Sequence, residues 1–168
     1  LKRCNTDSFN LAAECLAKTI AAQANDGRNG SWALARERIG QYLQGLGVAS
    51  DEYVLDDASG LSRENRLSAR ALSAVLYSVY TSSNWPLYQD TFAVGGVEGT
   101  IEKDFRQASY TARILGKTGY ISRVRAFSGI CQTDQGDYLF SILANGSDGI
   151  KTLVNSIAKA VMDEYEAN

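Results

Sequence analysis

The chain has 168 residues, of which 45% are hydrophobic, and its formal net charge is −2. Its basic residues are scattered, which excludes the electrostatic surface of a nucleic-acid-binding protein. It contains no histidine, which excludes Ser-His-Asp and Cys-His nucleophiles and every histidine-based metal site within this chain. No apolar run approaches the ~18 residues of a membrane span. The first residue is Leu1, which predicts a processed or partial product, and the length predicts a single domain over residues 1–168.

Three helices are predicted in the N-terminal half from apolar residues at helical spacing. The first covers residues 8 to 24, where the recurring residues are Leu11, Cys15, Leu16 and Ile20. The second runs from Ser31, as its N-cap, to Leu46, with the stripe Trp32, Ala35, Ile39, Leu43 and Leu46. The third starts near Ser68 and is predicted to turn Leu72, Val75, Leu76, Val79 and Tyr80 inward. Residues 53 to 55 form a short extended piece between the second and third helices.

The C-terminal half changes to an alternating pattern. Residues 87 to 112 are predicted to be irregular, and three antiparallel strands are predicted at 115–124, 126–132 and 138–144. The segment Asp134-Gln135-Gly136 indicates a hairpin between the last two. A final helix from Asp148 to about Glu164 is predicted to cover the sheet through one apolar face, made of Ile150, Leu153, Val154, Ile157, Ala158, Val161 and Tyr165. Helices followed by a meander and a covering helix indicate an α+β fold.

The three cysteines, Cys4, Cys15 and Cys131, are an odd number with no Cys-x-x-Cys spacing. The pattern favours buried or free thiols, and a bridge to sequence outside this chain is the alternative.

Two short motifs carry the functional prediction. Lys117-Thr118-Gly119 opens the β-rich stretch, and Ser8-Phe9-Asn10 lies more than a hundred residues earlier. A Lys-Thr-Gly strand facing a Ser-x-Asn turn is part of the active site of penicillin-recognising serine enzymes. The nucleophile of such enzymes is a Ser-x-x-Lys motif that precedes Ser-x-Asn, and only seven residues precede Ser8 here. The chain is therefore predicted to be a catalytic part without its attacking serine.

Taken together, the ordered motifs resemble class C low-molecular-mass penicillin-binding proteins, the D-alanyl-D-alanine carboxypeptidase/endopeptidase family. The matching blocks are Ser8 to Leu16, Asp57 to Arg63 with Asn65, Gly96 to Arg106, Lys117 to Gly119, and Phe140 to Asn145. Each block alone is weak, whereas five blocks in the right order are strong evidence. Two departures are Ala58, where the family's loop has glycine, and Tyr120, where serine or threonine is typical.

The resemblance implies part of the β-lactamase/penicillin-binding transpeptidase fold and hydrolysis of peptidoglycan stem peptides through a serine acyl-enzyme. It implies no metal or organic cofactor. The implied partners are stem peptides, β-lactams and an N-terminal segment carrying the serine nucleophile, and the implied location is extracytoplasmic. A non-catalytic peptidoglycan- or partner-binding module that keeps the cleft is the alternative. A β-lactamase is disfavoured because residues 87 to 112 lack a Glu-x-x-x-Asn element.

The resemblance also implies roles for six residues. Lys117 and Thr118 would bind the substrate carboxylate, Gly119 would let the substrate backbone approach, and the backbone N–H of Tyr120 would belong to the oxyanion hole. Ser8 would join the proton-transfer network, and Asn10 would hold the substrate amide and orient the absent lysine.

Some of these residues could instead have a purely structural role. Ser8 could be a helix N-cap, Lys117 a surface lysine before a glycine bend, and the loop from Asp57 to Arg63 a purely structural turn. Ser156 and Lys159 form a further Ser-x-x-Lys, but they follow Lys-Thr-Gly and are predicted to face solvent on the last helix.

Overall fold

The computed structural model describes residues 1–27, 29–146 and 150–165. The chain divides into two compact units. The first unit contains Leu1–Ser8 and Leu76–Asn168, and the second contains Phe9–Val75. The single domain predicted for residues 1–168 stays a prediction.

The helices of the described residues are α1 (Lys2–Thr6), α2 (Asn10–Gln23), α3 (Trp32–Gly45), α4 (Ala69–Tyr80), α5 (Trp85–Gln89) and α6 (Ile150–Tyr165). The strands are β1 (Tyr53–Val54), β2 (Arg66–Leu67), β3 (Ala93–Val94), β4 (Ile114–Ile121), β5 (Val124–Thr133) and β6 (Gly136–Asn145). Short 3₁₀ turns lie at Ser50–Glu52 and Gly99–Ile101.

The first unit is built on an antiparallel sheet with the strand order β3-β4-β5-β6. Because neighbouring residues of a strand point to opposite faces, each face of the sheet acquires its own core. On one face Phe127, Cys131 and Phe140 pack with Val154 and Met162 of α6. On the other face, Leu115 and Ile130 pack with Leu76 and Phe92, and with the partly buried Trp85, Tyr88 and Leu139. The predicted strand order and the covering helix are confirmed.

The second unit is helical, with a small β1–β2 ribbon. Helices α2 and α3 meet through Ala17, Ala21 and Ala35, whose small side chains allow a close approach. Leu43, Val48 and Ala71 form a second cluster. Ser31 caps α3, since its hydroxyl accepts a hydrogen bond from the backbone N–H of Leu34 at 3.1 Å. The predicted N-cap is confirmed.

Several boundaries and faces differ from the sequence prediction. The first of the three predicted strands is β4, and it ends at Ile121 rather than at residue 124. Ser122 and Arg123 form a turn there, in which Arg123 has φ 65°. Residues 87 to 112, predicted to be irregular, contain the end of α5, the short strand β3 and one 3₁₀ turn. In α6, Leu153 and Ile157 are exposed, and Met162 takes their place in the core. The predicted helix start at Asp148 lies outside the described residues.

No helix within the described ranges has both the length and the apolar character needed to cross a membrane.

We predict that Met162→Ala in α6 lowers the free energy of unfolding by about 2–5 kcal/mol, the usual cost of removing a fully buried side chain. Met162 has no exposed surface, so the substitution leaves a cavity under the sheet. Leu153→Ala on the same helix is the control, because Leu153 is 58% exposed and should change stability by less than about 0.5 kcal/mol. Urea denaturation measures both values. Equal losses for the two variants would mean that α6 does not pack as described.

Candidate active site

The end of α1 is fixed by buried hydrogen bonds to the segment before β3. The Asn5 side-chain amide donates to the Thr91 hydroxyl at 2.8 Å, and the Thr6 hydroxyl donates to the Thr91 carbonyl at 2.6 Å. Asn5, Thr6 and Thr91 are all buried, so breaking these bonds would strand polar groups away from water. A Cβ at Gly99 would meet the Thr6 carbonyl oxygen at 2.5 Å, and the glycine therefore lets α1 approach. These contacts of α1 fix the position of Ser8, which lies two residues after Thr6.

Ser8 adopts a backbone conformation that is rare for a residue with a side chain. Its φ is 57°, in the left-handed region. The N-cap of α2 is Phe9, and no side-chain hydrogen bond caps the helix. The interpretation of Ser8 as a helix N-cap is therefore wrong. Its hydroxyl is directed to another partner.

Lys117 lies on β4 just beyond a cross-strand pair of glycines. Gly116 pairs with Gly129 of β5, and a Cβ at Gly116 would meet the Ser128 carbonyl oxygen at 2.5 Å. A side chain at this position would push the two strands apart. The glycine pair thus keeps β4 and β5 in register up to the residue that carries the ammonium group.

The Lys117 ammonium and the Ser8 hydroxyl are in direct contact. Nζ of Lys117 donates to Oγ of Ser8 at 2.8 Å, and it also donates to the carbonyl oxygen of Thr118. Burial lowers the pKa of Lys117 from its ordinary value, and the neighbouring Cys4 opposes that effect. The described residues bring no carboxylate to Nζ as an ion-pair partner. The interpretation of Lys117 as an ordinary surface lysine is wrong, because the group is a partly desolvated cation.

Thr118, Gly119 and Tyr120 follow Lys117 on β4, and each has a different environment. The Thr118 hydroxyl donates to the Thr100 hydroxyl at 2.7 Å. An added Cβ at Gly119 would meet only Ala126 Cβ, at 3.3 Å, so the space that a side chain would take here is otherwise empty. The Tyr120 side chain is 64% exposed, and the Arg125 guanidinium lies 3.7 Å from the centre of its ring.

The strand also has an open edge at this point. Strand β3 pairs with β4 only at Leu115 and Gly116, whereas the pairing with β5 continues from Ile114 to Ile121. Within the described residues, β4 therefore has no strand neighbour on the β3 side from Lys117 to Ile121. Such an edge offers backbone donors and acceptors to an extended peptide.

Asn10 belongs to the second unit, where it is the first residue of α2 and is half-buried. One turn later, Glu14 holds the loop that follows Leu55. Its carboxylate accepts the backbone N–H groups of Ala58 and Ser59 at 3.1 and 2.9 Å and the Trp32 indole N–H at 2.8 Å. Burial tends to raise the pKa of Glu14, but these hydrogen bonds outweigh it and the pKa is lowered.

Asp57 organises the same loop from within. It accepts hydrogen bonds from the backbone N–H groups of Gly60 and Ser62 at 2.8 and 2.7 Å, and from the side chains of Ser59 and Asn65. Burial opposes these bonds, which together lower the pKa of Asp57. Every bond is internal to the loop, which supports its structural interpretation.

Sequence reasoning gave no role to Thr100, Glu14 and Thr91, although Glu14 and Thr100 lie within the blocks that resemble the family. Their contacts could not be predicted, since each acts through a partner at least 18 residues away. The second Ser-x-x-Lys has other contacts. The exposed Ser156 donates to the Thr152 carbonyl, and Lys159 lies 5.3 Å from the centre of the Tyr110 ring. In the described part of the chain, no three His, Cys, Asp or Glu side chains gather as a metal site would require.

A Lys-Thr-Gly strand whose lysine contacts the serine of Ser-x-Asn, on a sheet covered by a C-terminal helix, defines the class of penicillin-binding folds. The structure of penicillin binding protein 4 from Haemophilus influenzae has this fold. Its match covers 99% of this chain and 39% of that chain, with a TM-score of 0.84 and 23% identity. A predatory endopeptidase from Bdellovibrio bacteriovorus, acylated by penicillin G, matches 98% of this chain and 44% of its own, with a TM-score of 0.76 and 19% identity.

The sequence comparison makes the assignment specific. The model of the D-Ala-D-Ala carboxypeptidase 3 (S13) family matches residues 1–168, and the chain belongs to this family. A D-alanyl-D-alanine carboxypeptidase from an Actinomadura species is 32% identical over 164 residues, which are 94% of this chain and 30% of the relative. The chain spans about a third of the length of the curated relatives that it matches.

The lowered pKa of Lys117 predicts a pH-dependent stability difference for Lys117→Met. Between the lowered pKa and 10.5, the unfolded chain binds more protons than the folded chain, so the stability of the wild type rises with pH across that window. The variant lacks this rise. Its stability relative to the wild type should therefore be greatest at pH values below that window and should decline as the pH approaches 10.5.

Denaturant unfolding at several pH values measures this difference. Lys103→Met, at an exposed lysine, is the matched control and should show no such decline. A Lys117→Met difference that is constant or grows with pH would contradict the assignment of Lys117 as a desolvated cation.

Proposed function

We propose that this chain forms part of the substrate cleft of a serine D-alanyl-D-alanine carboxypeptidase or endopeptidase acting on peptidoglycan stem peptides. A serine oxygen attacks the carbonyl carbon of the scissile peptide bond, the C–N bond breaks, and the leaving amine takes a proton. Water then hydrolyses the resulting ester. The serine and its lysine lie on a segment outside residues 1–168. The observation that carries the proposal is the 2.8 Å contact between Lys117 and Ser8, two motif residues 109 positions apart.

In this proposal, Lys117 binds the C-terminal carboxylate of the substrate. Nζ is partly desolvated, and among the residues that the structure describes it has hydroxyl and carbonyl partners but no anion. A carboxylate arriving there forms a charge-assisted hydrogen bond with the ammonium group, and the same interaction raises the lowered pKa of Lys117. Thr118 contributes its hydroxyl to the same carboxylate by exchanging its present partner, Thr100.

The open edge of β4 receives the substrate backbone. An extended stem peptide pairs with the strand beyond Gly116, where β3 no longer does, and Gly119 puts no side chain in its way. The backbone N–H of Tyr120 is assigned to the oxyanion hole, a role that any side chain at this position would allow. The exposed ring of Tyr120, held by Arg125, replaces the smaller residue typical of the family and shapes what lies next to the peptide.

Ser8 and Asn10 complete the proposed machinery. The Ser8 hydroxyl, already bonded to Lys117, relays a proton toward the leaving amine. Asn10 offers both an amide donor and an acceptor, which suit the substrate amide and the lysine of the nucleophile motif.

The chain alone is inactive, because the nucleophile is elsewhere. β-Lactams acylate the full-length protein, in keeping with the penicillin G-acylated endopeptidase that shares the fold. The location is extracytoplasmic, since the substrate is part of the cell wall.

Lys117→Ala in the full-length protein should reduce acylation by penicillin and by a D-alanyl-D-alanine peptide by about ten- to a hundredfold. The loss of a hydrogen bond to a charged group costs roughly 1.5–3 kcal/mol, and each ~1.4 kcal/mol is tenfold in rate. Asn10→Ala should slow peptide turnover because the substrate amide is misplaced. Acylation rates followed with fluorescent penicillin, and peptide turnover followed by D-alanine release, give these values.

Lys159→Ala is the control, because this lysine lies on α6 over the Tyr110 ring and has no proposed role in the reaction. An unchanged acylation rate for Lys117→Ala, or a loss for Lys159→Ala as large as that for Lys117→Ala, would contradict the site assignment.

A further inference from the structure

The hydroxyl of Thr118, the middle residue of the Lys-Thr-Gly motif, contacts a second hydroxyl. Oγ1 of Thr118 donates to Oγ1 of Thr100 at 2.7 Å, and the two residues are 18 positions apart in the sequence. Thr100 belongs to the 3₁₀ turn Gly99–Ile101. Because β3 pairs with β4 only as far as Gly116, Thr100 lies where the open edge of β4 begins. It is therefore a neighbour of the site.

The residues on both sides of Thr100 hold it in place. Gly99 has φ 73°, and a Cβ there would meet the Thr6 carbonyl oxygen at 2.5 Å and Ala93 Cβ at 2.8 Å. Ile101 is 1% exposed and belongs to the core between the sheet and α6. Thr100 itself is exposed. A tightly packed glycine and a buried isoleucine thus fix the turn that presents the Thr100 hydroxyl to β4.

The proton of the Thr118 hydroxyl limits what this group can bind. A threonine hydroxyl has one proton to donate and two lone pairs that accept, whereas an ionised carboxylate only accepts. In this structure Thr118 donates its proton to Thr100. It can donate to a carboxylate only when Thr100 stops being its acceptor. Thr100 has a proton of its own, which it can then donate to Thr118 over the same 2.7 Å.

We propose that Thr100 is a positioning residue for recognition of the substrate carboxylate, acting through Thr118. This inference rests on the proposed function, in which Thr118 binds that carboxylate. When the substrate binds, both hydroxyls turn about their C–O bonds, so that Thr100 donates to Thr118 and Thr118 donates to the carboxylate. No covalent bond changes and no proton is transferred. The carboxylate charge strengthens the second hydrogen bond, and each bond polarises the other.

The effect of Thr100 is confined to one of the two carboxylate contacts. The described partners of Lys117 Nζ are the Ser8 hydroxyl and the Thr118 carbonyl, so the ammonium group does not depend on the Thr100 side chain. Loss of the Thr100 hydroxyl should therefore weaken carboxylate recognition by about three- to tenfold, the range expected for one neutral hydrogen bond. If Thr100 only competed with the substrate for the Thr118 proton, its loss would strengthen recognition instead.

The full-length protein tests this role through two β-lactams that differ in the carboxylate alone. Benzylpenicillin has it, and benzylpenicillin methyl ester does not. The ratio of their second-order acylation rate constants is called the acid-to-ester ratio here. Thr100→Val should lower this ratio about three- to tenfold by slowing benzylpenicillin alone, and Thr100→Ser, which keeps the hydroxyl, should restore it. An unchanged or increased ratio in Thr100→Val would overturn the inference, and so would an equal loss of both rates, which a structural role predicts.

Thr81→Val is the matched control. Thr81 is also an exposed threonine of the first unit, and its hydroxyl donates to the Tyr77 carbonyl at 3.0 Å. It follows Tyr80, whose hydroxyl bonds to Asp137 in β6. Thr81→Val should leave the acid-to-ester ratio unchanged, and a loss as large as that of Thr100→Val would contradict the inference.

A double variant tests whether Thr100 acts through Thr118. Thr118→Val should lower the acid-to-ester ratio at least as much as Thr100→Val. Adding Thr100→Val to Thr118→Val should have no further effect, because the hydroxyl that Thr100 positions is already missing. A double variant in which the two losses multiply would show that Thr100 acts independently, and it would overturn this role.

These measurements also separate the inference from the proposed function. Acylated wild-type protein whose acid-to-ester ratio is unaffected by Thr100→Val keeps the function and overturns the role of Thr100. Wild-type protein that no penicillin acylates overturns the function. Equilibrium dialysis of acetyl-D-alanyl-D-alanine and its C-terminal amide then tests Thr100 directly. Three- to tenfold weaker binding of the acid alone in Thr100→Val keeps its role, whereas unchanged binding, or none in the wild type, overturns it.

Discussion

The hydrogen bond from Lys117 to Ser8 is the contact on which the site of the first unit depends. It joins the end of α1 to the middle of a sheet, and it exists only because buried hydrogen bonds to Thr91 fix α1 at the right distance. Lys117 lowers the stability of the folded state, because burial penalises its charge and thereby lowers its pKa. Ser8 adds a left-handed backbone, which also costs energy. Strain and desolvation at one contact are typical of a functional site.

The shortness of β3 is the second constraint. A longer strand would pair with all of β4 and close the edge beside Lys117, whereas the two residues of β3 leave it open. Open edges favour aggregation, and proteins usually keep them only where they are used. The glycines of this strand leave space as well, because Gly116 lets β5 approach and a Cβ at Gly119 would meet only Ala126. The sheet is thus stable on both faces and open where a peptide could bind.

Much of the fold could be predicted from local patterns. Alternation and the hairpin signal at Asp134 to Gly136 defined the last two strands, because side-chain period and turn chemistry are local properties. The turn at Ser122 and Arg123 was missed because neither residue is a glycine. Helical spacing predicted α2 but could not tell which side is covered, since that depends on elements distant in sequence. The contact between Ser8 and Lys117 spans 109 positions and was accessible only through the resemblance of ordered motifs to a family.

We propose that this chain supplies a cleft while the attacking serine lies elsewhere. The most direct test of this proposal is to treat the full-length protein with a β-lactam and to locate the acylated residue by peptide mass spectrometry. The account predicts one acylated serine, in a Ser-x-x-Lys sequence outside residues 1–168. Acylation of a serine within this chain, such as Ser8 or Ser156, would contradict it, and so would the absence of any acylated serine.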